Sequence, residues 1–297
     1  MIPAAFAYDR ASTVDEALEL LATHGADAKI IAGGQSLLPL MKLRLARPER
    51  LIDIGRIETL RGVHRLPDGR LAIGALTTYA QLLDDRSVMD LALMADALPR
   101  IADVQVRNRG TIGGAIAHAD PAADMPALLL ALEAEVVARS SSRGERSMSV
   151  ATFFEGAFST ALAPDELLLE VRVPAPSGSY GSAYRRLEQQ ASGFAIAGVA
   201  AVVGRTGTGG SNGSDGLVDD VRVAVTGVGD TPYRATAIED ALRGSSLSSA
   251  DIASAVADIT AGVSVQGDIH ADPAYRTAMA QVMARRALEA ARDRLND

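Results

Sequence analysis

The chain contains no cysteine. It therefore cannot close a disulfide, present a thiolate nucleophile or ligate an iron–sulfur cluster. Lysine is scarce too, occurring only at Lys29 and Lys42, so the basic charge is nearly all arginine, and the formal net charge is −8. That balance gives no electrostatic footprint for nucleic acid or an anionic membrane. Long hydrophobic runs are missing, since the longest, Phe194 to Val203, is too short to span a bilayer. Met1 to Arg10 lack the basic and apolar regions of a signal peptide, so a cytoplasmic, soluble protein is expected. His24, His64, His118 and His270 are dispersed without ligand-like spacing, and no metal site is expected.

The 297 residues are 48% hydrophobic and 22% charged, enough to bury a core in each of two domains. Thr13-Val14-Asp15-Glu16 predicts a capping box that opens a helix, with Val14, Leu18 and Leu21 inward and Gly25 ending it. Strands are predicted at Lys29–Ala32, Leu51–Ile54 and Arg70–Gly74, then a Thr77-led helix through Leu82 and Leu83. A further strand-like run covers Leu167–Val173. The turn-rich Pro174–Ser179 suits a domain boundary. Beyond it, Phe194–Val203 and Val221–Val225 read as strands, separated by Gly207–Gly216, whose composition predicts a mobile hairpin loop. Helices are expected at Thr236–Leu242, Ser248–Ile259 and Ala274–Leu295.

Two glycine-rich loops carry the chemistry. In Ala32-Gly33-Gly34-Gln35-Ser36-Leu37-Leu38-Pro39, paired glycines follow an apolar strand, where ligands approach α/β sheets. Glycines let a backbone come close to a ligand, and successive free N–H groups form a nest for a diphosphate. A plain Gly-Gly turn is the alternative. The second, Arg109-Gly110-Thr111-Ile112-Gly113-Gly114-Ala115, repeats the pattern and leads through Asp120-Pro121-Ala122-Ala123 to Asp124, a carboxylate ahead of an apolar helix. Asp124 suits hydrogen bonds from sugar or ribityl hydroxyls; helix capping beside Pro126 is the alternative. Neither loop fits G-x-G-x-x-G. Gly227-Val228-Gly229 comes nearest, but Pro232 stands where the third glycine belongs. Asp219-Asp220 and Arg185-Arg186 read as solvated or positioning charges.

Ala32–Ser36, Thr111–Gly114 and Asp120–Asp124, with Val225–Gly229, Pro232 and Glu239–Gly244 further on, resemble the FAD-binding medium subunit of molybdenum hydroxylases. These are the carbon monoxide dehydrogenase and xanthine dehydrogenase relatives. The resemblance implies an α+β fold: a two-part α/β FAD-binding domain of the vanillyl-alcohol-oxidase (PCMH) type, then a smaller sheet-plus-helices domain. The divisions implied are 1–176 (parts about 1–55 and 56–176) and 177–297. It assigns Ile31, Ala32, Gly33, Gly34, Gln35, Ser36 and Leu37, with Thr111, Ile112, Gly113, Gly114 and Ala115, to the FAD diphosphate and adenosine. Asp124 matches a ligand of the flavin's polar chain, Leu168 an apolar flavin contact, and Tyr184-Arg185 an aromatic–basic pair near the isoalloxazine. Many relatives carry His at Gln35 and Asn or Asp at Ala115, and the Leu187–Ser192 stretch lacks the basic residues common there.

The family also implies partners: a large molybdopterin-binding subunit and a small subunit with two [2Fe–2S] clusters, as a heterotrimer or its dimer. Electrons would pass from the clusters to FAD and on to an external acceptor. A chain without cysteine holds neither cluster, which agrees. The redox chemistry is the flavin's own, so no catalytic acid, base or nucleophile is expected here. Two other readings stay open: a self-sufficient FAD-dependent oxidoreductase, and a scaffold keeping the fold without flavin.

Overall fold

The computed structural model describes residues 2–175, 178–205 and 217–297. The loop expected at Gly207–Gly216, and part of the expected boundary at Pro174–Ser179, lie outside the described residues. Three sheets organise the chain.

The first sheet is parallel, from β1 (Ala7–Arg10), β2 (Ala28–Ile31) and β3 (Arg50–Asp53) in the order β1-β3-β2. The helix α1 (Val14–His24) connects β1 towards β2, and α2 (Leu37–Lys42) follows β2. Thr13 caps α1 as expected, accepting from the Glu16 N–H at 3.1 Å. The Glu16 carboxylate closes on the Ser12 N–H at 2.8 Å instead of on Thr13. Ala17, Leu18 and Leu21 of α1 form a small core with Ile52, Ile54, Leu60 and Leu167.

The second sheet runs β4-β5-β10-β6-β7: β4 (Val63–Arg65), β5 (Leu71–Gly74), β6 (Glu135–Ser140), β7 (Gly144–Ser149) and β10 (Glu166–Val173). A two-stranded hairpin, β8 (Phe154–Gly156) and β9 (Ser159–Thr160), stands apart. Between β5 and β6 come α3 (Tyr79–Asp84), α4 (Arg86–Met89), α5 (Ala92–Ala97), α6 (Val104–Arg107), α7 (Ile112–His118) and α8 (Asp124–Ala131). The cap of α3 lies one residue beyond the expected one. Thr78 makes the capping box with Gln81, while the Thr77 hydroxyl meets the backbone of Gly62.

The third sheet, antiparallel, is β11 (Ser179–Glu188), β12 (Ala195–Arg205), β13 (Asp220–Thr226) and β14 (Tyr233–Arg234). Alternate residues of a strand face opposite sides, and here both sides are apolar. Ala197, Val199, Ala201 and Val203 face a core shared with α9 (Thr236–Leu242), α10 (Ser249–Ala255) and α11 (Pro273–Asn296). Tyr184, Ala200, Val202 and Ala224 join the core of the second sheet and its helices. The third sheet is thus a filling between the two halves. Among the described residues, no helix is long and apolar enough to cross a membrane.

Candidate cofactor site

The three parallel strands of the first sheet end on one edge, because Arg10 and Ile31 both register with Asp53. The loop Ala32–Ser36 leaves the sheet from that edge. Its backbone N–H groups at Gly33, Gly34, Gln35 and Ser36 find no acceptor among the described residues. Gly34 has φ +74, and the Gln35 side chain folds back to donate to the Gly33 carbonyl at 3.1 Å. Gln35 and Ser36 are exposed; Ile31, Ala32, Gly33, Gly34 and Leu37 are half-buried. A row of free donors in a turn of this kind attracts an anion.

Gly33 also joins this loop to the second. A Cβ built there would lie 2.1 Å from the Arg109 carbonyl oxygen and 3.1 Å from the Gly110 Cα. Only glycine permits that approach. Loops some 75 residues apart in sequence, about the spacing of Gly33 and Arg109, therefore form one surface.

The second loop differs from the first, contrary to the expected repetition of chemistry. Its N–H groups are taken up inside the chain: Ile112 donates to the Thr77 carbonyl at 3.1 Å and Gly113 to that of Ala75 at 2.9 Å. Gly114 donates to the Thr111 hydroxyl at 3.1 Å, and Ala115 to the Thr111 carbonyl at 3.0 Å. Thr111, Ile112 and Gly113 are buried, Ala115 is half-buried, and Gly114 is exposed. Thr111 caps α7, and α7 shows solvent a shallow face of Gly114 and Ala117. The loop offers a flat place for a ligand to lie against, with anchors behind it.

His118 ends α7 next to that face. Its ring meets the Phe158 ring at 5.1 Å, and burial holds its pKa below the ordinary histidine range against a smaller opposing pull from Asp120. Burial thus favours the neutral imidazole.

Asp124 opens α8 and is buried. One carboxylate oxygen accepts from the Tyr184 hydroxyl and the other from Arg186. Burial pushes this carboxyl up, while the Arg186 charge and the Tyr184 hydrogen bond pull against it. The Tyr184 phenol is raised well above its usual range by burial and by the Asp124 charge, so it stays a donor. The pattern of charges predicts Arg186 to be solvated or positioning, but its side chain is only 2% exposed. That rules out the solvated reading for this residue. A buried arginine of this kind requires a paired carboxylate, and Asp124 lies 62 positions away in sequence.

The side chains of Tyr184 and Arg185 turn to different partners. Adjacent strand residues point to opposite faces, so Tyr184 and Arg186 share Asp124 while Arg185 turns to Asp96. Asp96 accepts from Arg185 at 2.8 Å, from the Tyr184 N–H at 3.0 Å and from Arg294 at 2.7 Å. Leu168 lies in β10, buried in the core of the second sheet. A cavity of about 300 Å³ opens beside Arg186, lined also by Arg100, Ala102, Val106, Glu188 and Ser192. Glu188 bonds Arg186 at 2.7 Å and Arg100 at 3.4 Å across its wall. Sequence reading does not find this cavity, because its walls come from α6, its approach, the end of β11 and the β11–β12 turn.

Residues 4–176 match the family described as "FAD binding domain in molybdopterin dehydrogenase", and residues 182–291 match "CO dehydrogenase flavoprotein C-terminal domain". The carbon monoxide dehydrogenase medium chain of Hydrogenophaga pseudoflava is 41% identical over 292 residues, covering 98% of both chains. The 6-hydroxypseudooxynicotine dehydrogenase complex subunit alpha of Paenarthrobacter nicotinovorans is 40% identical over 290 residues, 97% of this chain and 95% of that one. Among solved structures, a carbon monoxide dehydrogenase from Hydrogenophaga pseudoflava lacking the Mo-pyranopterin moiety of its cofactor superposes with TM-score 0.92. It is 43% identical and covers 99% of each chain.

Proposed function

The chain belongs to the FAD-binding medium chains of carbon monoxide dehydrogenase-type molybdenum hydroxylases, and from that premise we propose that it is the flavin station of a multi-subunit dehydrogenase. It receives electrons from [2Fe–2S] clusters on a small partner subunit. It delivers them to an external acceptor, while the substrate reacts at a molybdopterin centre on a large subunit. When bound, FAD supplies the electron-accepting and electron-donating ring.

The observation that carries this reading is the first loop, with four adjacent N–H donors lacking partners among the described residues. They fit a diphosphate. Ile31 and Leu37 flank the turn, and Gln35 braces it. Gly114 and Ala115 give the neighbouring flat surface, with Thr111, Ile112 and Gly113 holding it in place. Asp124 and Tyr184 act through Arg186, which lines the cavity beside Arg100 and Val106. In this reading Arg186, which lines the cavity, joins Arg185 as a cation near the flavin ring, where positive charge would favour negative charge developing on the ring. Leu168 supports from the core. The division into residues 1–176 and 177–297, the former with parts about 1–55 and 56–176, goes with this assignment.

The test is to purify the chain with its neighbouring gene products. The reading requires a flavin spectrum, about one FAD released per chain on denaturation, and co-purifying iron–sulfur and molybdopterin chains. A colourless chain that takes up no added FAD would sink it. So would an isolated chain that oxidises a small substrate at full rate.

A further inference from the structure

The segment Asp120–Asp124 links the second loop to the third sheet, and its backbone carbonyls are claimed one after another from that sheet. The Pro121 carbonyl accepts from the Gly227 N–H at 2.8 Å. The Ala122 carbonyl accepts from the Ala195 N–H at 3.2 Å. The Thr226 hydroxyl lies between two of them, 2.8 Å from the Pro121 oxygen and 2.7 Å from the Ala123 oxygen. Thr226 is 1% exposed, so water does not replace its hydroxyl. Asp124 then enters its own pairing with Tyr184 and Arg186 of β11. Arg276 of α11 fixes the far side of this turn through the Ile196 carbonyl at 2.8 Å and the Gly227 carbonyl.

The helix α7 is consequently pinned at both ends. Its first residues hang from the carbonyls of Ala75 and Thr77, and the chain leaving it is clasped by the ends of β12 and β13. The front pin belongs to the same half of the chain as the loop. The rear pin belongs to the other half.

We propose that Thr226 is a positioning residue for the cofactor. It holds α7 in the orientation that presents Gly114 to the ligand, without itself touching that ligand. The proposal rests on the FAD reading above. Releasing the clasp lowers the fraction of chains with the loop correctly presented, and the apparent Kd rises as the inverse of that fraction. Linkage requires the reciprocal effect: bound FAD must tighten the clasp.

The experiment uses the full chain freed of flavin, with FAD as the probe. Thr226→Val removes the donor at nearly constant shape and is expected to weaken FAD binding about tenfold. Thr226→Ser keeps the hydroxyl and is expected to stay within about threefold of the unaltered chain. Adding FAD is expected to slow hydrogen exchange at the Ala195 and Gly227 amides. A Thr226→Val chain that melts earlier but binds FAD as tightly as the unaltered one would show Thr226 to be structural alone. Unchanged exchange at both amides would overturn the proposal equally. If Thr226→Val fails to fold, Thr226→Ala replaces it, and the exchange measurement on the unaltered chain decides without either. An unaltered chain that binds no FAD would bring down the functional reading and this one with it.

Discussion

Gly33 and Arg109 meet backbone to backbone, with 2.1 Å between a would-be Cβ on the glycine and the arginine's carbonyl oxygen. This contact welds the donor-bearing loop to the flat one. Gly33→Ala should force the loops apart and destabilise the chain by about 1–3 kcal/mol, the usual range for overpacking. FAD content should fall more steeply than stability, because both parts of the cradle move. Denaturant midpoints and released FAD per chain, measured on one preparation, check this. Unaltered flavin content would refute it.

The two neighbouring arginines of β11 should behave very differently. Arg186→Met strands the Asp124 carboxylate in the interior, where breaking a buried pair costs about 3–5 kcal/mol. Arg185 is a third exposed, and its partner Asp96 keeps Arg294. Arg185→Gln should therefore cost about 1 kcal/mol or less. Guanidinium unfolding curves give both values. Equal losses would mean that Arg185 and Arg186 do not face different environments.

Gly198 lies against the Tyr184 hydroxyl, which a Cβ on the glycine would approach to 2.3 Å. Gly198→Ala should push the phenol from Asp124, at about 1–3 kcal/mol. Tyr184→Phe removes the oxygen concerned and should absorb much of that loss. A double-mutant cycle is then expected to be clearly non-additive. Simple additivity would separate the two residues.

Acid sensitivity should trace in part to Asp96. Burial raises its carboxyl pKa, but hydrogen bonds from Arg294 and the Tyr184 N–H, with the charges of Arg294 and Arg185, outweigh this and hold it below the ordinary value. A depressed carboxyl contributes stability that is full above the unfolded pKa of about 3.9 and is lost as pH falls through the lower folded value. Asp96→Asn should lower the melting temperature at pH 7 and flatten its decline below about pH 4. Parallel melting curves for both proteins across that window would count against this role.

The sequence discloses local structure where one stretch of chain decides it. Thr236–Leu242 is helical within the expected bounds, and the strands at Leu51 and Leu71 fall within a residue of expectation. Two adjacent threonines defeat the prediction for α3: Thr77 is drawn to Gly62, leaving Thr78 as the cap. The strand β11 carries Tyr184, Arg185, Arg186 and Glu188, a composition that suggests a surface. Its burial depends on Asp124 and Asp96, which lie far away in sequence. The glycine loops themselves are legible as motifs. The difference between them is not, because it depends on whether the carbonyls of Ala75 and Thr77 reach the second loop's N–H groups.

The third sheet, apolar on both faces, bears on how the chain can be divided. A protease cut between Ala175 and Gly178 would sever the polypeptide where the two family regions adjoin. The pieces should nonetheless remain associated, since Tyr184, Ala200 and Val202 are embedded in the other piece's core. Expressed alone, the C-terminal piece would display that face as an adhesive patch and should aggregate. The two regions can be recombined in evolution only as a matched set, each carrying the surface that keeps the other in solution.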